Sequence, residues 1–446
     1  MSLKFFGTDG IRGLYGGETL NDEIAFRAGK AAVRAARELQ NVVAPKVVVG
    51  RDTRESGEKL LQAFAKGVSL EGGTVVDLGV APTPCVAFAA RQSDAALACS
   101  ITASHNPACD NGIKFFEGTG VKPSEALEQA LDDFVGEATL DGMADAGSVR
   151  LEEGTALRQQ YSDAVASHFP AGMLEGKRVA LDCANGAMFE IAPKVFKALG
   201  AHITVVGDAP DGSNINANVG SEHPESMAAM YTDAEYDLGF AFDGDGDRLV
   251  VFDKSGEPID GEAVLAILAI AAKNAGTLHE DTLVTTVQSN LGLDAALRER
   301  GIKVERTDVG DKHIARLMLK EGYTLGGEES GHLVYGDFAV TGDGLVSALA
   351  VSEIEVRGGV ENVYSAYPKS SKALRVADKP PFESCPEITA CINRLTEELG
   401  EEGRLLVRYS GTEPKIRLLV EARTATVVAA SMEVLQTAVE KDLDLV

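Results

Sequence analysis

With 446 residues, 45% of them hydrophobic and 25% charged, the chain reads as a soluble globular protein too long for one ordinary core. Its net charge of −26 argues against nucleic acid and anionic membrane as partners, and obliges any anionic substrate to find local cations. The six cysteines form no CxxC pair, as expected of reduced thiols in a cytoplasmic protein, the longest apolar run (263–272) is too short to span a bilayer, and polar sequence by Gly7 argues against a signal peptide.

The chain opens on a glycine-rich loop, Phe6-Gly7-Thr8-Asp9-Gly10-Ile11-Arg12-Gly13, which presents one arginine and by itself could be a simple turn. A strand at 46–50, a helix around 58–70 and a strand at 74–78 then make a βαβ pattern. The pattern recurs as strand 178–182, helix 192–199 and strand 202–206. It begins again as strand 282–287, helix 293–300 and strand 303–306. Gly72, Gly200 and Gly301 stand where each helix needs a C-terminal cap. The repetition argues an α/β fold with three related mixed α/β domains. After Lys379-Pro380-Pro381 the pattern changes to helix 387–399, strand 404–408, strand 416–421 and helix 426–441, a smaller C-terminal α+β domain. The expected domains are 1–150, 151–252, 253–370 and 371–446.

Four motifs carry chemistry. Thr102–Pro107 follows the apolar segment 95–101, so Ser104 sits on a tight turn at a strand end. Such a serine suits a nucleophile or phosphate carrier, and equally a capping residue. A Ser–His–Asp hydrolase is disfavoured, because Ser104 and His105 are adjacent and no G-x-S-x-G elbow is present. Asp243, Asp245 and Asp247 alternate with Gly244 and Gly246 between two apolar stretches. The glycines would let the loop curl and turn three hard oxygen donors inward, toward Mg²⁺ or Ca²⁺. An EF-hand is excluded, since its sixth and twelfth positions would hold Arg248 and Lys254. Arg248 suggests an anion such as phosphate beside the metal. Gly326–His332 packs donors, acceptors and an imidazole between glycines, a pattern that fits sugar hydroxyls or a plain surface loop. Arg408–Lys415, with Arg417 beyond, offers arginines, hydroxyls and a glycine-bearing turn, which suits phosphate better than a bare hairpin.

In order and spacing these motifs, with Asp110–Phe116 and Thr307–Asp311, resemble those of the α-D-phosphohexomutases along essentially the whole chain, most closely the bacterial phosphoglucosamine mutase branch. The resemblance implies four domains around a central cleft. It implies that Ser104 carries the transferred phosphoryl group, and that Asp243, Asp245 and Asp247 hold Mg²⁺ together with an oxygen on Ser104. Glu328 and Ser330 would bind sugar hydroxyls. Arg408, Ser410, Gly411, Thr412 and Arg417 would bind the phosphate that is not reacting. Arg12, His105, Lys114, Arg248 and His332 would line the reacting end, with Lys114 or His332 moving the proton. The implied reaction interconverts glucosamine 6-phosphate and glucosamine 1-phosphate through a sugar 1,6-bisphosphate, which also serves as activator, for amino-sugar and peptidoglycan precursors. A hexosamine phosphate is then the partner, and a homodimer is compatible with the reading. Glu329 departs from the glutamine often found there, and its charge would favour a protonated 2-amino group. Competing readings are a phosphomannomutase/phosphoglucomutase, a metal-dependent sugar phosphatase and a sugar-phosphate sensor.

Overall fold

The computed structural model describes residues 3–7, 9–144, 149, 151–339, 341–410 and 413–446. Its described strands form four sheets. The first runs in the order Ile11–Leu14, Asp110–Glu117, Leu97–Ile101, Lys46–Arg51, Thr74–Val80, Leu151–Glu153. Valines 47–49 and all of Leu97–Ile101 are buried, as continuous apolar runs in a parallel sheet covered by helices must be. Lys46–Arg51 is parallel to Thr74–Val80 and to Leu97–Ile101, and Asp110–Glu117 returns antiparallel.

The same scheme recurs twice. In the second sheet Arg178–Asp182 is parallel to His202–Val206 and to Leu238–Phe242, and Leu249–Phe252 returns antiparallel. In the third, Thr282–Thr286 lies between Lys303–Thr307 and Leu325–Gly327, is parallel to the latter, and Leu333–Tyr335 returns antiparallel. The expected glycines close their helices with positive φ, at Gly72 (75°), Gly200 (96°) and Gly301 (68°). Each βαβ copy is thus longer than the sequence pattern suggested: it carries a further parallel strand and an antiparallel return. The loops between those two strands are 102–109, 243–248 and 328–332. The serine, aspartate and Gly327–His332 motifs therefore occupy equivalent places, at the carboxyl ends of parallel strands.

Contacts divide the chain into two compact units, residues up to Val287 with Glu305–Glu361, and Gln288–Val304 with Asn362–Val446. Residues 288–304, expected in the third domain, cluster with the second unit. There Asn290 Nδ2 donates to the Tyr367 carbonyl at 3.0 Å, and its Oδ1 accepts from Tyr367 N at 2.8 Å. The second unit packs helices Pro386–Leu399 and Ala425–Asp442 on an antiparallel sheet of Lys369–Arg375, Lys415–Ala422 and Gly403–Tyr409. The first of these strands, KSSKALR, starts before residue 371 and is too polar to show as an apolar run. Among the described residues, no helix is long and apolar enough to cross a membrane. Five of the six cysteines are buried and Cys109 is exposed.

Candidate active site

The loop after Leu97–Ile101 is held from beneath by residues the motif search missed. Ser104 adopts φ 53°, a left-handed conformation costly for a non-glycine residue. The fully buried Arg54 side chain donates to the carbonyls of Ser104 (3.0 Å), Asn106 (2.8 Å), Asp110 (2.9 Å) and Pro107. Its Nε donates to Asp52 Oδ2 at 2.8 Å, and Asp52 also accepts the Thr102 hydroxyl at 2.7 Å. From the second sheet's side, Asn216 Nδ2 donates to the carbonyls of Ser104 (2.8 Å) and Asn106 (3.0 Å). These donors fix the turn, so the Ser104 side chain can project from a strained backbone.

What it meets is the aspartate loop. Ser104 Oγ donates to Asp243 Oδ2 at 2.5 Å. All three aspartates are buried, and one oxygen from each lies within 4.8 Å of the others. The two glycines serve different ends. Only Gly246 takes positive φ (72°), so Gly244 does not need the backbone freedom expected of it. A Cβ on Gly244 would instead lie 2.6 Å from the Ser104 carbonyl oxygen. Thr83, also missed, donates its hydroxyl to Asp245 Oδ2 at 2.6 Å.

This acid cluster is under electrostatic stress. Burial, then repulsion from Asp245 and Asp247, pushes the Asp243 carboxyl well above the usual carboxylate range. Lys114 relieves part of it, with Nζ 2.8 Å from Asp245 Oδ2, 3.3 Å from Asp247 Oδ2 and 3.1 Å from Asp9 Oδ2. Burial alone would lower the lysine, but those carboxylates outweigh it and hold it well above its ordinary value. Asp245 Oδ1 and Asp247 Oδ1 are buried without a hydrogen-bond partner. Three oxygen donors, two of them with an orphaned buried oxygen, fit a hard divalent cation.

His332 stands on the other flank. Its Nδ1 is 3.8 Å from Asp247 Oδ1, and its Nε2 is 3.3 Å from Asp311 Oδ2. Burial opposes its charge, yet Asp311 and Asp247 raise it to about 9. Gly342 admits the ring, since a Cβ there would lie 2.2 Å from His332 Nε2. Arg12 pairs with Asp9 at 3.1 Å. His105 Nδ1 lies 3.3 Å from Ser104 Oγ, and burial and Arg248 hold its imidazole below the usual value. The backbone N–H of Arg248 donates to Asp243 Oδ1 at 3.2 Å, and its buried Nε lacks a hydrogen-bond partner. Glu328 accepts from Gly310 N at 3.1 Å, while Ser330 is exposed. Ser104, the three aspartates, Lys114 and His332 are therefore brought together from three sheets.

The second unit has its own basic hairpin. Arg408 and Arg417 are exposed and directly opposite one another in the register of Gly403–Tyr409 and Lys415–Ala422. Like charges placed so destabilise a strand pair, a cost an anion would relieve. Glu413 partly offsets it, lying 3.3 Å from Arg417. The Lys379 ammonium donates to the Ser410 carbonyl and adds a cation the motif did not include. Gly411 and Thr412 lie outside the described residues.

Comparison with known proteins gives this arrangement relatives. Four family models match in series: "Phosphoglucomutase/phosphomannomutase, alpha/beta/alpha domain I" at residues 3–141, domain II at 159–256, domain III at 260–369 and the C-terminal domain at 372–435. The phosphoglucosamine mutase of Symbiobacterium thermophilum is 41% identical over 450 residues, covering 97% of this chain and 99% of the relative. A phosphoglucomutase/phosphomannomutase family protein from Burkholderia thailandensis superposes with a TM-score of 0.79 at 25% identity, covering 100% and 99% of the two chains. The N-acetylphosphoglucosamine mutase of Aspergillus fumigatus, solved with GlcNAc-6P and magnesium, gives 0.66 at 17% identity over 99% and 96%, a likeness of fold. With its four-domain α/β architecture, the chain belongs to the phosphohexomutase superfamily and, within it, to the bacterial phosphoglucosamine mutases.

Proposed function

We propose that this enzyme interconverts glucosamine 6-phosphate and glucosamine 1-phosphate by way of a phosphorylated Ser104 and a glucosamine 1,6-bisphosphate. The observation that carries the reading is Ser104 Oγ held 2.5 Å from a buried carboxylate cluster, among cations, in an otherwise acidic protein. Asp243, Asp245 and Asp247, with an oxygen on Ser104, would hold Mg²⁺, which when bound supplies charge neutralisation for the transferring phosphoryl group.

The chain's own residues do the rest. The Oγ–P bond of phosphorylated Ser104 breaks as a sugar hydroxyl attacks phosphorus, and the hydroxyl proton passes to a base. Ser104 Oγ leaves as an alkoxide that takes a proton, and the bisphosphate turns end for end. The Ser104 hydroxyl then gives its proton to a base as Oγ attacks the other phosphorus, the bond from that phosphorus to the sugar oxygen breaks, and the released sugar oxygen takes a proton. Lys114 or His332 moves the proton, and the charged state of His332 suits it to protonate a leaving oxygen. Arg12, His105 and Arg248 surround the reacting phosphate. Glu328 and Ser330 bind sugar hydroxyls. Arg408, Ser410, Gly411, Thr412 and Arg417 bind the phosphate that is not reacting. In domain terms, 1–150 carries the serine, 151–252 the metal loop, 253–370 the sugar loop and 371–446 the phosphate loop. The enzyme would act in the cytoplasm, and a homodimer is compatible with this reading.

A panel of glucosamine, glucose and mannose phosphates tests the reading, with Mg²⁺ and catalytic sugar bisphosphate, on wild type and Glu329→Gln. The expected result is reversible isomerisation with little free phosphate, a preference for glucosamine, and a weaker preference in the variant. Stoichiometric phosphate release would indicate a phosphatase, and a preference for mannose or glucose the sister activity.

A further inference from the structure

Lys122 is a nearly buried cation, its side chain 14% exposed, that the chemistry above does not use. Its Nζ lies 2.5 Å from Asp9 Oδ1 and 2.8 Å from Asp311 Oδ1. Asp9 lies in the segment matched by the domain I model and Asp311 in that matched by domain III, so one ammonium joins two domains. Asp311 opens helix Asp311–Glu321, and the start of this helix touches the site twice. Asp311 Oδ2 is 3.3 Å from His332 Nε2, and Gly310 N donates to Glu328 Oε1 at 3.1 Å. On the opposite side, Asp9 contacts Arg12 and Lys114, each at 3.1 Å. Farther along the helix, Lys312 pairs with Glu128 (3.3 Å) and Arg316 with Glu125 (2.9 Å). The Arg316 pair is solvent-exposed, 35% and 82%, so it contributes little to holding the seam.

We propose that Lys122 is a positioning residue: by bridging Asp9 and Asp311 it sets the spacing between Arg12 and Lys114 on one domain and His332 and Glu328 on the other. A neutral side chain at this place leaves two part-buried carboxylates facing one another across the seam, and they would move apart. A displacement of about 1 Å at a reaction centre costs about 10²-fold in rate. The carboxylates would carry their partners with them, Asp9 the two cations and Asp311 the imidazole.

The test rests on the mutase reading for its assay. Full-length wild type, Ser104→Ala, Lys122→Met, Lys122→Arg, Asp311→Asn and the Lys122→Met/Asp311→Asn pair are compared for kcat/KM and thermal midpoint. Lys122→Met is expected to lose at least about tenfold in kcat/KM while folded, and Lys122→Arg to recover most of it. The double variant should lose no more than the worse single one, because both break the same bridge. A loss in Lys122→Met below about tenfold, or losses that multiply in the double variant, overturns the proposal. Should Lys122→Met not fold, the double variant is read against Asp311→Asn: agreement within about threefold supports the bridge and a larger loss overturns it. An inactive wild type would remove the mutase reading itself. An active wild type, with Ser104→Ala dead and Lys122→Met unaffected, removes only this inference.

Discussion

Arg54 directs a fully buried guanidinium at four backbone carbonyls of the Ser104 loop and at Asp52. A planar fork of donors is what such a set requires, and lysine would meet it poorly. Removing the cation leaves Asp52 buried without its ionic partner, so Arg54→Gln is expected to destabilise the protein by about 3–5 kcal/mol, read as a lower urea midpoint. A loss below about 1 kcal/mol would mean that Asn216 and Thr102 hold the loop without it. Nothing in the sequence pattern marks Arg54, because its acceptors apart from Asp52 are main-chain oxygens 50 to 56 residues away. Backbone acceptors leave no signature of residue type. Asp243, Asp245 and Asp247 were legible for the opposite reason: a hard-cation site of the kind proposed needs carboxylates, and here they stand at alternate positions of one loop.

The hairpins that carry the site differ in how visible they were. Strands Leu238–Phe242 and Leu249–Phe252 flank the aspartates and show in the sequence as two apolar stretches. Leu325–Gly327 and Leu333–Tyr335 are three residues each, too short to show a period, so the third copy of the hairpin did not emerge. Helix Gly344–Val356 begins against the aspartate loop, with Gly344 N donating to the Gly246 carbonyl at 3.0 Å. Its cap, Asp343, accepts from Leu345 N and Val346 N at 3.0 Å each and from the Tyr161 hydroxyl at 2.9 Å. Burial nevertheless raises the Asp343 carboxyl from 3.8 to about 6. A carboxyl whose folded value is raised contributes stability below its unfolded value and loses it as pH climbs through the folded value. Two units of difference amount to about 3 kcal/mol, lost between pH 4 and 6. Asp343→Asn keeps the capping oxygen and cannot titrate. Its stability relative to wild type is expected to rise by about 3 kcal/mol between pH 4 and 7 in urea titrations. A flat difference across that range would show that the carboxyl titrates normally.

At the scale of the molecule, three copies of one scheme place Ser104, the three aspartates and the Gly327–His332 loop at equivalent strand ends. The repeat was legible in the strand–helix–strand spacing. The gathering of the copies was not, because contacts such as Ser104 to Asp243 span 139 residues and obey no local period. Nor did spacing reveal that residues 288–304 cluster with the C-terminal unit, an association to which the Asn290 side chain contributes. The charge balance was informative throughout. A chain of net charge −26 gathers Arg12, Lys114, Lys122 and Arg248 around one acidic cluster, an arrangement suited to an anionic substrate that the rest of the surface repels. The central claim is that the Ser104 hydroxyl itself accepts and returns the phosphoryl group. The direct test is turnover of glucosamine 6-phosphate by Ser104→Ala, beside its affinity for the same ligand. The account expects kcat to fall by at least about 10³-fold with Kd changed by less than about threefold; turnover within about tenfold of wild type would contradict it.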